Sequence, residues 1–277
     1  MKKVNRIIAV LICCALLLAG CGSTGKPAET TPPATEATQA ETAAQEPVTI
    51  LLAAAASLQY SFKEELIPMF VEKYPHITVE GTYDSSGKLL TQIQEGLEAD
   101  VFMSAAMKEM NVLKDEGKVE TDSVAELLEN RIVLIVPADS GTDIASFQDI
   151  GKADAIALGD PESVPVGRYA KEALTSLGIY DEIQPKVSQG TNVTEVLNWV
   201  AEGSADIGIV YATDAATTDK VKIVAEAPVG SLASKVIYPV GVLSRSEHQE
   251  AARLFVEFLQ SPEALAVFSA YGFTPNL

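Results

Sequence analysis

The most constraining feature of the chain is the alternation of short apolar runs and amphipathic segments that begins at Pro47. Runs such as Val48–Ala53 and Arg131–Val136 have the length and composition of buried strands. Segments with helical periodicity lie between them; the first is Leu58–Tyr74, ended by Pro75. Strands separated by helices predict an α/β fold with largely parallel sheets, in which ligands bind beyond the carboxyl ends of the strands.

The start of the chain differs in composition and predicts a targeting segment. An apolar run over residues 7–18 is too short to span a membrane comfortably, and it leads into Leu18-Ala19-Gly20-Cys21. This pattern resembles a bacterial lipobox; a plain secretory signal with a chance cysteine is the alternative. We expect residues 1–20 to be a lipoprotein signal peptide and Cys21 to be lipidated. Residues 21–47 lack large apolar side chains and are expected to form a disordered tether.

The rest of the chain contains none of the three cysteines, which lie at positions 13, 14 and 21. Disulfides, thiolate metal sites and a cysteine nucleophile are therefore excluded for the predicted domain. The formal net charge of −18 predicts that the chain does not bind nucleic acid. The acidic residues show no metal-ligand spacing, and no cofactor is expected. Any site for an anion must then be local and built from oriented dipoles.

Four predicted turns share one design, in which a strand ends, small or polar residues follow, and a helix begins. They are Ala53–Leu58, Asp84–Lys88, Pro161–Gly167 and Gly190–Glu195. The first N–H groups of a helix lack intrahelical acceptors and lie at the positive end of its dipole, so such turns favour an anion. Each turn alone is also explained by ordinary capping, with Ser57 or Asn192 as the N-cap. Together the four turns predict a shared anion pocket.

These turns belong to a longer pattern that resembles the extracytoplasmic molybdate-binding proteins of ABC importers. The resemblance rests on ordered blocks at consistent spacing: Ala54–Leu58, Ser85–Gly87, Ala99–Ala105, Gly159–Glu162, Val164–Leu174, Asn192-Val193, Gly208–Ala215, Tyr238–Val240 and Tyr271–Phe273. It implies a two-lobed periplasmic-binding-protein type II fold with two crossover strands. Lobe I would comprise residues 48–132 plus 239–277, and lobe II residues 133–238.

The resemblance also implies the residues of the site, where an oxyanion is bound without cationic side chains. Carried over by position, the donors are the hydroxyl and N–H groups of Ser57 and Ser86, the backbone N–H groups of Val166 and Val193, and the phenol of Tyr211. A phenol with an ordinary pKa near 10 stays a donor at neutral pH. Relatives can carry alanine at position 166, but the implied contact is a main-chain N–H, so the donor is kept. The metal is then bound as its oxyanion, without a direct protein ligand.

The function implied by the resemblance is high-affinity binding of molybdate and tungstate outside the cytoplasm. The protein would be a monomeric, membrane-anchored lipoprotein that delivers the oxyanion to the permease of an ABC importer. A donor-only shell is expected to disfavour protonated phosphate, which needs an acceptor. A same-fold binder of another oxyanion, such as sulfate or phosphate, is the alternative. An enzyme with Ser57 or Ser86 as nucleophile is a further alternative that no histidine or second carboxylate supports, so no enzymatic activity is expected.

Overall fold

The computed structural model describes residues 46–276; the predicted signal peptide, Cys21 and most of the predicted tether lie outside them. The described part confirms the α/β class, with two sheets that helices pack against. Among these residues, no helix is both long and apolar enough to cross a membrane.

The strands are numbered along the chain. They are β1 Val48–Ala55, β2 Ile77–Asp84, β3 Val101–Met103, β4 Ala125–Asn130, β5 Ile132–Pro137, β6 Ile156–Gly159, β7 Val187–Gly190, β8 Ile207–Tyr211, β9 Val221–Glu226, β10 Val236–Val242 and β11 Thr274–Pro275. The α-helices are α1 Gln59–Ser61, α2 Ile67–Lys73, α3 Ser86–Glu95, α4 Met107–Asp115, α5 Pro165–Ser176, α6 Tyr180–Ile183, α7 Val193–Ala201, α8 Ala212–Ala215, α9 Gln249–Leu259 and α10 Pro262–Ala270.

The strands form two mixed sheets, with the orders β11-β4-β10-β3-β1-β2 and β7-β6-β8-β5-β9. Strand β1 pairs in parallel with β2 and β3, and β6 with β7 and β8, as helical crossovers require. The prediction of largely parallel sheets is nevertheless wrong. Strand β10 is antiparallel to β3 and β4, and β5 is antiparallel to β8 and β9. The reason is that the chain enters β5 and β10 directly from the other sheet. No helical crossover, which would make these strands parallel to their neighbours, precedes either of them.

The chain passes from the first sheet to the second at Arg131 and returns between Glu226 and Val236. Strands β5–β9 lie wholly in the second sheet, and the whole of β10 pairs within the first. The assignment of two lobes with boundaries at 132/133 and 238/239 stays a prediction.

Two strands differ from what their local sequence indicates. Half of the residues in Ala125–Asn130 are polar, so the local pattern indicates no strand there; in the structure Leu127, Leu128 and Asn130 are buried. The segment is a strand because β10 and β11 pair with its two edges. The local pattern of Pro185–Ser188 indicates a strand over these four residues. In the structure the strand begins at Val187, since Pro185 lies in a 3₁₀ turn.

The helical stretch after β1 is continuous but irregular. It begins with a 3₁₀ turn, Ala56–Leu58, and contains a π-helical segment, Phe62–Leu66, between α1 and α2. The ring of Phe62 meets that of Phe268 edge-on at 5.8 Å and lies 6.1 Å from that of Phe255. These contacts pack the C-terminal helices α9 and α10 against the stretch that follows β1, so the end of the chain completes the core of the first sheet.

Strand β10 contains an irregularity next to the region where the two sheets meet. Its pairing with β4 shifts in register between Tyr238 and Pro239. Proline has no N–H to give to a ladder, and inside a sheet it is confined to edges and bulges. A bulge changes the direction of the neighbouring side chains. The register shift therefore helps to orient the side chain of Tyr238, which contacts a residue of the candidate site.

Candidate functional site

Strand ends from both sheets meet at one small cavity. The first wall of the cavity consists of Ser57, Ser86 and Ala105, which follow β1, β2 and β3. The second wall consists of Val166 and Val193, at the starts of the helices that follow β6 and β7, and of Tyr211, the last residue of β8. The structure therefore brings all five predicted donor residues to one place, and all five are buried. They meet because the carboxyl ends of parallel strands lie at the same edge of each sheet.

Ser57 makes a buried hydrogen bond with a tyrosine that is distant in sequence. Its Oγ lies 2.9 Å from the phenol oxygen of Tyr238. The expectation that Ser57 is an N-cap is wrong, because it lies inside the turn Ala56–Leu58, whose N-cap is Ala55. Asn130 Nδ2 donates to the Tyr238 oxygen at 3.2 Å, which leaves the phenol proton available for Ser57. With Tyr238 as donor, the hydroxyl proton of Ser57 is free for an anion in the cavity.

The support of Ser57 is a buried network that sequence reasoning missed. Burial raises the pKa of the Tyr238 phenol well above its ordinary value, so the phenol keeps its proton. The amide of Asn130 is oriented by the N–H of Arg131, which donates to its Oδ1 at 2.8 Å, and its Nδ2 also donates to Thr213 Oγ1 at 2.8 Å. Tyr238 belongs to a block of the resemblance, but no local pattern connects positions 57, 130 and 238.

Ser86 is also held so that its proton is free. It is the first residue of α3 and fully buried, and its Oγ accepts a hydrogen bond from the N–H of Ala105 at 2.9 Å. The N-cap of the helix, Ser85, makes no capping bond through its side chain, and its buried Oγ has no partner among the described residues. The first wall thus presents serine hydroxyls together with the start of a ten-residue helix.

Next to the cavity, helix α3 of the first wall contacts the loop that precedes α5 of the second wall, and the contact is made by Gly87. Its N–H donates to the carbonyl oxygen of Ser163 at 3.0 Å. A Cβ added at Gly87 would lie only 2.4 Å from that oxygen. The observed approach of α3 to the loop before α5 is therefore possible only with glycine at this position.

The second wall offers main-chain donors. Val166 follows Pro165 at the start of α5, and Val193 is the first residue of α7. The first N–H groups of a helix have no acceptor inside the helix, and their dipoles point toward the cavity end. The predicted cap of α7 is confirmed, since Asn192 Oδ1 accepts from the N–H of Glu195 at 3.0 Å. Because Asn192 caps through the Glu195 N–H, the N–H of Val193 is left for another acceptor.

Tyr211 adds a phenol to the second wall. Burial raises its pKa well above the ordinary value, so it stays a protonated donor at any physiological pH. Its hydroxyl donates to the carbonyl of Ala105 in the first wall at 3.3 Å, a long hydrogen bond, and its ring meets that of Tyr238 edge-on at 5.5 Å. A phenol has one proton. An anion in the cavity would therefore replace Ala105 as the acceptor.

Asp84 corrects the expectation of a lining made only of donor residues, because this acidic residue also lines the cavity. Its Oδ1 accepts from the N–H of Ser85 at 2.7 Å and lies 3.5 Å from Asn192 Nδ2, across the junction between the sheets. The ammonium group of Lys88 lies 3.4 Å from the same oxygen. The Asp84 carboxylate is thus partly neutralised by Lys88 and turned toward the start of α3. It is nevertheless a hydrogen-bond acceptor, whereas the family resemblance implied only donors.

Known proteins match this chain over the whole described domain. The model of the bacterial extracellular solute-binding protein family matches residues 50–274. A Bacillus subtilis (strain 168) protein named as a candidate ABC transporter substrate-binding lipoprotein, YvgL, is 40% identical over 273 residues, which cover 99% of this chain and 98% of that protein. The molybdate-binding protein ModA of Escherichia coli (strain K12) is 36% identical over 234 residues, which cover 81% of this chain and 88% of that protein.

A solved structure extends the likeness to three dimensions. The substrate-binding domain of a candidate molybdenum ABC transporter from Clostridium difficile superposes with a TM-score of 0.64 at 35% identity, over 82% of this chain and 98% of that one. The arrangement of two mixed sheets around a cavity at their strand ends is that of periplasmic binding proteins, whose members are transport components and not enzymes. The chain therefore belongs to the family of bacterial extracellular solute-binding proteins and is a homologue of the molybdate-binding proteins within it.

Proposed function

We propose that this protein binds molybdate and tungstate and delivers the bound oxyanion to an ABC importer. One observation carries the proposal: the donors of both walls converge on a cavity whose lining, within the described residues, contains no lysine, arginine or histidine. A dianion taken out of water needs a hydrogen bond on each oxygen. Hydroxyls and helix N-termini supply such bonds without a cation, which suits a chain with a net charge of −18.

In this proposal each named residue has one role. The hydroxyls of Ser57 and Ser86 donate from the first wall, the main-chain N–H groups of Val166 and Val193 donate from the second, and Tyr211 gives its phenol proton. Within each wall the fold holds these donors in place before the ligand arrives, so little conformational entropy of the side chains is lost on binding. Tungstate has nearly the size and the same charge as molybdate, so we expect it to bind at the same donors.

The delivery step rests on the family and on the start of the chain. We propose that Cys21 carries the lipid, that residues 21–47 tether the domain to the membrane, and that the monomer presents its ligand to a membrane permease. Closure of the two predicted lobes about Arg131 and the segment between Glu226 and Val236 would trap the anion. Support comes from the lipoprotein name of the Bacillus subtilis relative and from the family's role in import.

Thermal melting of the purified protein with added oxyanions tests the ligand. A ligand at about a hundred times its dissociation constant stabilises the native state by about 2.7 kcal/mol. For a domain of this size we expect the melting midpoint to rise by about 5–10 °C with molybdate or tungstate. Sodium chloride at equal ionic strength is the control. No shift with either metal oxyanion, together with a shift on adding sulfate or phosphate, would overturn the proposal.

Phosphate is the second candidate, because Asp84 offers the acceptor that a protonated phosphate needs. If phosphate were the ligand, its shift would exceed that of molybdate and Asp84→Asn would abolish it. Under the molybdate proposal the same substitution removes a negative charge beside a dianion, and molybdate binding becomes tighter. The two candidates therefore predict opposite effects of Asp84→Asn.

A further inference from the structure

A buried ion pair outside the cavity joins the helices that follow its two walls. Glu109 lies in the first turn of α4, shortly after Ala105 of the first wall. Arg168 lies near the start of α5, two residues after Val166 of the second wall. Arg168 Nη2 lies 2.5 Å from Glu109 Oε1, and the two side chains are 20% and 2% exposed. The pair thus connects α4, on the side of the first sheet, to α5, on the side of the second sheet, at a point that is largely shielded from water.

The pair is incomplete as well as buried. Glu109 Oε2 and Arg168 Nη1 are both buried and have no partner among the described residues. A buried pair with unsatisfied arms gains little free energy over an apolar contact of the same volume, because desolvation offsets the attraction. Removing one partner is different, since it leaves an uncompensated charge in the interior. The intact pair therefore adds little to stability, while it holds the starts of the two helices in direct contact.

Charge neutralisation is the competing explanation for these residues. The positive charge of Arg168 acts on the phenol of Tyr211 in the cavity and lowers its pKa, against the larger opposing effect of burial. A free Arg168 would attract an oxyanion across the second wall, and Glu109 cancels that attraction. If neutralisation were the role of the pair, losing the Glu109 charge would tighten binding. If positioning is its role, the same change loosens binding.

We propose that Glu109 and Arg168 are a positioning pair that holds the starts of α4 and α5 together and sets the lifetime of the bound oxyanion. This inference rests on the proposed function. The pair does not touch the ligand. It keeps Ala105 and Val166 at the separation at which both walls reach one anion, and it separates only when the anion leaves.

The test measures molybdate association and dissociation by stopped-flow fluorescence of Trp199, the only tryptophan of the chain, which lies in α7 behind Val193. Glu109→Gln and Arg168→Gln are expected to raise the dissociation rate by about tenfold to a hundredfold, with association within about threefold of the parent protein. The double variant Glu109→Met/Arg168→Met replaces the pair by an apolar contact and is expected to return the dissociation rate to within about threefold.

The control is Arg253→Gln, which breaks an exposed 3.1 Å pair with Asp122 on the surface of the predicted lobe I and leaves both rates unchanged. Where a glutamine variant fails to fold, as judged by circular dichroism, Arg168→Lys keeps the charge but shortens the side chain and is still expected to speed dissociation. Slower dissociation in Glu109→Gln, unchanged rates in all variants, or fast dissociation that persists in the double variant would each overturn the inference. A parent protein that shows no saturable molybdate signal counts against the proposed function instead.

Discussion

The two walls of the cavity supply hydrogen-bond donors of different kinds. The first wall presents the hydroxyls of Ser57 and Ser86, each held by a hydrogen bond with another buried group. The second wall presents mainly main-chain N–H groups at the starts of α5 and α7, beneath the apolar side chains of Val166 and Val193. A hydroxyl donor depends on side-chain identity and on its support, whereas a main-chain donor depends on the position of its helix. The first wall should therefore be sensitive to substitution and the second to geometry.

The largest effect is expected when hydroxyls are removed from both walls. Each hydrogen bond to a charged group contributes about 1.5–3 kcal/mol, so Ser57→Ala with Tyr211→Phe should weaken molybdate binding by about a hundredfold or more. Isothermal titration calorimetry measures the change. The matched control is Ser188→Ala with Tyr60→Phe, which removes the same atoms from exposed positions. Equal affinities for the two double variants would contradict the site assignment.

A smaller but clear effect is expected when the walls are forced apart. Gly87→Ala places a methyl group 2.4 Å from the Ser163 carbonyl oxygen, and relief of such overpacking costs about 1–3 kcal/mol. Molybdate affinity should fall by roughly tenfold to a hundredfold, although no donor is removed. Gly141→Ala is the control, because no atom lies within 4 Å of a Cβ built there. An unchanged affinity for Gly87→Ala would show that the close approach at this point is not needed for binding.

Side-chain identity in the second wall should matter little for binding. Val166→Ala keeps the main-chain N–H, so the affinity for molybdate should stay within about threefold of the parent value. The same change empties part of the core and should lower the free energy of unfolding by about 1–3 kcal/mol. Calorimetry and urea unfolding on one preparation measure both quantities. A large loss of molybdate affinity in Val166→Ala would mean that the valine side chain contacts the ligand. The second wall would then depend on side-chain identity, as the first wall does.

The smallest effect on binding is expected at Asp214, a fully buried carboxyl group in α8, beyond Tyr211. Burial raises its pKa to about 8, and its Oδ2 has no partner among the described residues. Between pH 5 and 8 the unfolded chain has released this proton while the folded protein retains it, so stability falls as pH rises, by up to about 1.4 kcal/mol per pH unit. Asp214→Asn removes this contribution and leaves affinity within about twofold.

Urea unfolding of the parent protein and the Asp214→Asn variant at pH 5, 6, 7 and 8 measures that contribution. Other titrating groups are common to both proteins, so the difference between the two stability curves isolates Asp214. The variant should gain stability relative to the parent protein as the pH rises. Parallel curves would mean that Asp214 titrates at the same pH in the folded and unfolded states.

The α/β class and the turns that line the cavity can be predicted from the sequence because a local pattern carries the information. Small residues at a strand end, followed by a helix, indicate a turn that exposes helix N–H groups, and four such turns predicted one pocket. The cap of α7 by Asn192 was readable for the same reason, since the donor and the acceptor lie three residues apart.

The rest depends on contacts between residues that are distant in sequence. Ser57 appears as an N-cap in the sequence, but its partner Tyr238 lies 181 positions away and belongs to a strand of the first sheet. Strand β4 is half polar and is defined by its neighbours β10 and β11. The Glu109–Arg168 pair and the acceptor Asp84 likewise acquire their roles only when the two sheets come together.

The central claim is that a tetrahedral dianion is bound between the two walls by neutral donors alone. A crystal structure of the protein grown with molybdate, with anomalous diffraction recorded at the molybdenum absorption edge, tests it most directly. We expect one molybdenum peak in the cavity, with its oxygens within hydrogen-bond distance of the hydroxyls of Ser57 and Ser86, the N–H groups of Val166 and Val193, and the phenol of Tyr211. A peak elsewhere in the molecule, or one in contact with a lysine or arginine side chain, would contradict the account.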